Sequence, residues 1–289
     1  MRQTPIAALA LLTACTQAAN APSMERAAPA IAMDCFRDAD ISMLAAHRGG
    51  PAPGYPENAL TSLDRLIELG VLYAEIDVRR TADGVLFLLH DDTLDRTTSG
   101  SGPLDGLTWE ELSGLRLHDN NGRPTNATLP TLADAIALAR RTGLVLNLDL
   151  KSIPAGDIVA FVHDQDARDQ LAIITYTVAD AAAVHDLDPG LLLSVPNDLP
   201  ALRRAGLNLD ASYVWMGTGS LDPVADTRLA DLGLETSAGL FRRENGRPEL
   251  YLEARDANIE LIAVDDVETA VRALGGAETL HNQIAACRG

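Results

Sequence analysis

Positive charge, lysine, cysteine and long apolar runs are all scarce in this chain of 289 residues. Lys and Arg total 23 against 41 Asp and Glu, leaving a net charge of −18. A surface that acidic repels phosphate backbones and anionic lipid, which excludes a general nucleic-acid binder. No apolar run approaches the roughly 18 residues of a membrane span, so no transmembrane helix is expected. Lys151 is the only lysine, beside 22 arginines. No Gly-rich phosphate turn follows the first strand pattern, where Gly49-Gly50-Pro51 stands instead. That argues against a doubly wound nucleotide-binding sheet. Only three cysteines occur: Cys15, Cys35 and Cys287.

The first of these sits in an address. Residues 1–14 carry Arg2 and then a short apolar stretch. Leu12-Thr13-Ala14-Cys15 is similar to the bacterial lipobox, in which cleavage before the Cys leaves a thiol that carries lipid. An ordinary secretory signal cut nearby is the alternative. Either reading exports the protein, to the periplasm or cell envelope. Residues 15–40, rich in Ala, Pro, Asn and Ser, read as a flexible tether. Export also permits a disulfide. Cys35 precedes the first strand and Cys287 lies at the end of the chain, two places that a closed barrel brings together, so a Cys35–Cys287 bridge is expected.

What the chain does have is apolar material, 47% against 22% charged residues, enough for a sizeable core. It is arranged as an alternation. Strand-like runs fall at 41–46, 71–78, 85–89, 144–150, 171–176, 191–195, 212–216 and 259–264. Helical spacing recurs between most of them, as in Leu60, Leu63, Leu66, Ile67 and Leu69. Repeated βα units imply a parallel sheet, and residues 41–289 suit a single TIM (β/α)8 barrel, which typically spans about 250 residues. Residues 93–129 break the rhythm and read as an insertion after the third strand.

Polar residues collect at the C-terminal ends of these strands, where parallel barrels carry their active sites. The first run ends in His47-Arg48-Gly49. The second carries Glu75 and Asp77 on one face, the third ends in His90-Asp91, and the fourth carries Asp149 and Lys151 on one face. Three clustered carboxylates need a cation between them, and all-oxygen ligation favours Mg²⁺ or Ca²⁺. Arg48 suits a bidentate grip on phosphate, Lys151 adds a point charge, and two imidazoles can serve as acid and base. Glu57 and Asn58 either order the loop after the first strand or touch the site. His118, His163, His185 and His281 are read as structural, and Arg79-Arg80 and Arg242-Arg243 as solvated pairs.

His47-Arg48-Gly49, Pro56-Glu57-Asn58, Glu75-Ile76-Asp77, Thr81-Ala82-Asp83-Gly84, His90-Asp91 and Leu94-Asp95-Arg96-Thr97-Thr98 follow one another in order. Together with Leu129-Pro130-Thr131-Leu132 they resemble the glycerophosphodiester phosphodiesterase family over residues 44–151. The resemblance implies a TIM barrel that uses a divalent cation to hydrolyse glycerophosphodiesters to sn-glycerol 3-phosphate and an alcohol. It implies His47 and His90 as the acid–base pair, Glu75, Asp77 and Asp149 as metal ligands, and Arg48 and Lys151 on the phosphate side. Asp149 stands where the family usually has Glu. In the second half, Leu240-Phe241 and Asp265-Asp266-Val267-Glu268 replace the family's usual pattern. Two other readings remain open: a related phospholipase-like phosphodiesterase acting on lipid head groups, and a non-catalytic lipoprotein that binds phosphate esters.

Overall fold

A computed structural model describes residues 25–287. In chain order its first elements are α1 (Ala28–Asp38), β1 (Met43–Ala46), α2 (Leu60–Glu68), β2 (Tyr73–Arg80) and β3 (Leu86–Leu88). Next come α3 (Trp109–Leu112), β4 (Arg116–His118), β5 (Pro124–Thr128), α4 (Leu132–Thr142), β6 (Val145–Leu150), α5 (Ala155–Asp164) and β7 (Leu171–Ile174). The rest are α6 (Val178–His185), β8 (Leu192–Pro196), α7 (Leu199–Arg204), β9 (Ser212–Thr218), α8 (Pro223–Ala230), β10 (Glu235–Gly239), α9 (Glu249–Asp256), β11 (Leu261–Val264), α10 (Val267–Ala273) and α11 (Ala277–Cys287).

Eight strands, β1, β2 and β6 to β11, pair in parallel, and β1 bonds to both β11 and β2, closing the expected TIM barrel. Local chemistry starts and stops its elements. Thr131 caps α4 by accepting from the Asp134 N–H while Asp134 answers in a capping box, and Gly143 ends the helix at φ 75°. Alternate residues of each strand face the helices or the barrel axis. On β2, Ala74, Ile76 and Val78 join the helix-side core, while Tyr73, Glu75 and Asp77 face inward.

The interior changes character along the axis. At the N-terminal end, Met43, Tyr73, Val145, Leu192, Tyr213 and Leu261 form an apolar cluster with Met33 and Phe36 of α1. Above it come the polar and acidic side chains of Glu75, Asn147 and Ser194. The barrel is therefore apolar and sealed at one end and polar at the other.

Three sequence expectations are revised. The strand-like run 85–89 suits a parallel barrel strand by sequence, yet β3 runs antiparallel along β2 and lies outside the barrel. The missing parallel strand is β10, absent from the strand-like runs of the sequence. Its Glu235 and Thr236 are polar but buried, because Arg37, Glu260 and Asp226 supply partners. The stretch 15–40 is not all tether: Ala28–Asp38 is the helix that plugs the barrel. Cys15, the expected lipidation site, lies outside the described residues. Cys35 on α1 and Cys287 on α11 are joined as a disulfide with Cα atoms 5.6 Å apart. No helix among the described residues is long and apolar enough to cross a membrane.

Candidate active site

The site is built on a tight left-handed turn. Arg48, Gly49 and Gly50 follow β1 with φ of 51°, 74° and 69°. A Cβ at Gly50 would lie 2.9 Å from Leu66 Cδ2, so glycine is required there for room as well as for conformation. The turn aims the Arg48 N–H at Glu75 Oε2, 2.6 Å away, and offers the Arg48 carbonyl to the Asn58 N–H at 2.8 Å. Those two bonds hold Arg48 in a backbone conformation that a non-glycine residue otherwise avoids.

β2 and β6 bring the acids together. Their register sets Glu75 beside Asn147 and Asp77 beside Asp149. One oxygen from each of Glu75, Asp77 and Asp149 lies within 4.8 Å of the others, and all three residues are buried. Lys151 reaches back between them, 2.9 Å from Asp77 Oδ1 and 2.6 Å from Asp149 Oδ2. Burial opposes the ammonium, but the bonds to Asp149 and Asp77 outweigh it and raise its pKa. Glu75 is pushed up to about 8, by burial first and then by the charge of Asp77. Asn147 adds a buried carbonyl oxygen with no hydrogen-bond partner among the described residues. Three clustered carboxylates and an amide oxygen form a hard, all-oxygen donor set that fits Mg²⁺ or Ca²⁺.

Asn58 is the clamp on this set. Its Nδ2 donates to Asp77 Oδ2 at 2.7 Å while its Oδ1 accepts from the Asp77 N–H at 2.9 Å. Glu57, also buried, accepts from Arg96 at 2.7 and 2.8 Å and from Arg48 at 3.4 Å. Both residues thus order the loop after β1, one of the two roles that sequence left open for them.

His47 stands beside this set, and His90 on the segment that follows β3. His47 Nδ1 lies 2.7 Å from Asp265 Oδ1, and its Nε2 lies 3.9 Å from Glu75 Oε2. Burial disfavours its charge, yet Asp265 and Glu75 raise its pKa above the usual histidine value. His90 follows β3 and so belongs to the loop covering the barrel, not to a barrel strand. Asp91 Oδ1 sits 2.7 Å from its Nδ1, and Arg79 donates twice to its carbonyl, at 2.7 and 3.1 Å. Arg79 is therefore a half-buried brace and not a solvated residue. Asp91 is held far below the usual carboxylate range, chiefly by Arg96. A charged relay of Arg48, Glu57, Arg96 and Asp91 links the two histidine segments.

A cleft of about 330 Å³ opens over the barrel axis, with His47, Glu75, Asp149, Tyr176, Trp215 and Phe241 among its walls. A model of the "Glycerophosphoryl diester phosphodiesterase family" matches residues 47–240. The chain belongs to that family. It is 37% identical over 124 residues to bovine glycerophosphodiester phosphodiesterase 1, a match covering 42% of this chain and 37% of the relative. The chain therefore spans well under two thirds of that curated relative. A glycerophosphoryl diester phosphodiesterase from Parabacteroides distasonis superposes with a TM-score of 0.79 at 26% identity, covering 87% of this chain and 92% of that one. A phosphodiesterase from Oleispira antarctica, solved with the product sn-glycerol-3-phosphate, reaches 0.66 at 23% identity, over 82% and 98% of the two chains.

Within the family frame, the side chains that sequence reasoning passed over are Asp91, Arg96, Asp265 and Phe241. Asp91 and Arg96 lie inside the quoted motifs, so a partner for His90 was there to be sought. Asp265 and Phe241 come from the divergent half and carry no local signal. His163, His185 and His281 are engaged by Asp188, the Asn208 N–H and the Ile67 carbonyl.

Proposed function

We propose that this protein is a metal-dependent phosphodiesterase that hydrolyses glycerophosphodiesters to sn-glycerol 3-phosphate and an alcohol. The observation that carries this reading is the meeting of His47, Arg48, the carboxylate trio and Lys151 on one barrel rim, with the His90 segment tied to it through Asp91, Arg96 and Glu57. Family membership and the product held by the Oleispira relative support it. Pure phosphate-ester binding would need no pair of imidazoles, each seated on a carboxylate.

Glu75, Asp77 and Asp149 would hold Mg²⁺ or Ca²⁺, whose charge offsets that of the phosphodiester and polarises a phosphoryl oxygen. The chain's own groups do the rest. Arg48 and Lys151 line the phosphate side and draw the anion toward the rim. His47 and His90 share the proton work, one taking a proton from the attacking oxygen, that of water or of a substrate hydroxyl whose cyclic phosphate water then opens, and the other delivering one to the departing alkoxide. Such transfers each contribute roughly 10²–10⁴-fold. We place the protein outside the cytoplasm, held to the envelope by lipid on Cys15.

The test is release of sn-glycerol 3-phosphate from glycerophosphocholine by purified protein. Activity is expected to vanish with EDTA, to return with Mg²⁺ or Ca²⁺, and to fall at least 10²-fold in His47→Ala and His90→Ala. Unchanged turnover in both variants overturns the proposal.

A further inference from the structure

The residues that hold His47 come from the half of the chain that least resembles the family, and they grip the ring from two directions. Asp265, just past β11, meets Nδ1 at 2.7 Å. Phe241, just past β10, stacks on the ring with centroids 4.6 Å apart and planes 19° from parallel. Trp215 of β9 continues the pile, its ring 6.3 Å from that of Phe241 and 9° from parallel. Each grip has its own foundation. The Asp265 and Asp266 N–H groups both donate to Glu244, whose side chain is buried. Gly239 makes the seat for the rings: a Cβ there would lie 2.5 Å from Phe241 Cε1 and 2.8 Å from Trp215 Cη2. Gly239 does not have a positive φ, so room is what demands glycine at this position.

We infer that Asp265 and Phe241, seated by Glu244 and Gly239, are positioning residues that fix both the tautomer and the orientation of His47. An ionised carboxylate can only accept, so Nδ1 must carry the proton. The lone pair of the neutral ring is then on Nε2, the nitrogen that faces Glu75 and the cleft. Asp265 is held below the usual aspartate range: burial opposes this, and the His47 hydrogen bond outweighs it. The stack removes the second freedom, rotation of the ring about its Cβ–Cγ bond. A histidine free to flip or to exchange tautomers would present the wrong nitrogen for part of the time, and turnover would fall while binding stayed the same.

The inference rests on His47 acting in acid–base chemistry, but its test has a readout independent of that. ¹⁵N-histidine spectra of the full chain at pH 9, assigned with His47→Gln, report which ring nitrogen carries the proton. We expect a protonated Nδ1 in the wild type and in Asp265→Asn, whose amide oxygen still accepts, and loss of that signature in Asp265→Ala. A wild-type proton on Nε2, or an unchanged spectrum in Asp265→Ala, overturns the inference. With glycerophosphocholine as substrate, Asp265→Ala is expected to lose about 10²-fold in kcat with KM within threefold. Gly239→Ala is expected to lose about tenfold in kcat through displaced rings. Folding is checked by the thermal transition of each variant. Wild-type kcat in a folded Asp265→Ala protein also overturns the inference. A wild type that releases no glycerol 3-phosphate overturns the proposed function, while the spectra still decide the positioning claim.

Discussion

Asn58 shows how much of the candidate site depends on a single amide. It sits at φ 55°, a conformation that asparagine tolerates better than most residues, and spends both side-chain ends on Asp77. Removing it leaves Asp77 Oδ2 and the buried Asp77 N–H without that partner, which costs about 1–3 kcal/mol. It also frees a metal-facing carboxylate to rotate, and outer partners of this kind typically govern affinity 10–100-fold. Asn58→Ala should therefore lower the melting temperature and weaken Mg²⁺ or Ca²⁺ binding by about tenfold or more, read by isothermal titration calorimetry. Unchanged affinity would show that Asp77 needs no brace. Sequence marked Asn58 only as a neighbour of the site, because the contact spans the loop after β1 and the inner face of β2.

Among the elements, α1 departs furthest from the sequence reading. Its composition suggests a tether, since Ala and Pro carry little periodic signal. Yet Ala30, Met33 and Phe36 are buried against the barrel floor, and Arg37 pairs with Glu235. Such residues become a plug only when a hollow apolar end exists to receive them. Phe36→Ala should cost about 3–5 kcal/mol by leaving a cavity. The rim lies at the opposite end of the barrel, so kcat measured well below the melting transition should stay within twofold. A large fall in kcat without loss of stability would mean that the two ends are coupled. The exchange of β3 for β10 has a similar cause. β3 is apolar because Leu86 and Leu88 join the helix-side core while Phe87 packs under the covering loop, whereas β10 is polar because its partners are brought from α1, α8 and Glu260 just before β11.

For the molecule as a whole, two forces beyond packing set stability. The Cys35–Cys287 bridge closes a span of 252 residues, so in the chain-entropy model reduction costs about 5 kcal/mol. Dithiothreitol should then lower the melting temperature by roughly 10–20 °C. No change would mean that the denatured chain is not constrained by the link. The second force is pH. Glu235 and Glu260 are both pushed up to about 7, in each case mainly by burial. Their folded-state pKa values exceed the unfolded value near 4.5, so folding favours the neutral forms. Stability from this source is fully present below about pH 4.5 and is lost as pH rises through 7. In EDTA the protein should melt several degrees higher at pH 5.5 than at pH 8, and Glu260→Gln should flatten that slope. A higher melting point at pH 8 would contradict the assignment.

Sequence alone pointed to the barrel and to the acidic trio that the structure brings together, and singled out Arg48, Lys151 and two histidines around it, because periodicity and short motifs are local properties of consecutive residues. It also paired Cys35 with Cys287, since a closed barrel returns the chain to its start. Only the tertiary structure decided what holds the histidines, what seals the floor, and which run completes the barrel. Those answers rest on contacts between residues as much as 218 positions apart, such as His47 with Asp265, and no spacing rule along the chain records which distant side chain will be there to meet a buried polar group.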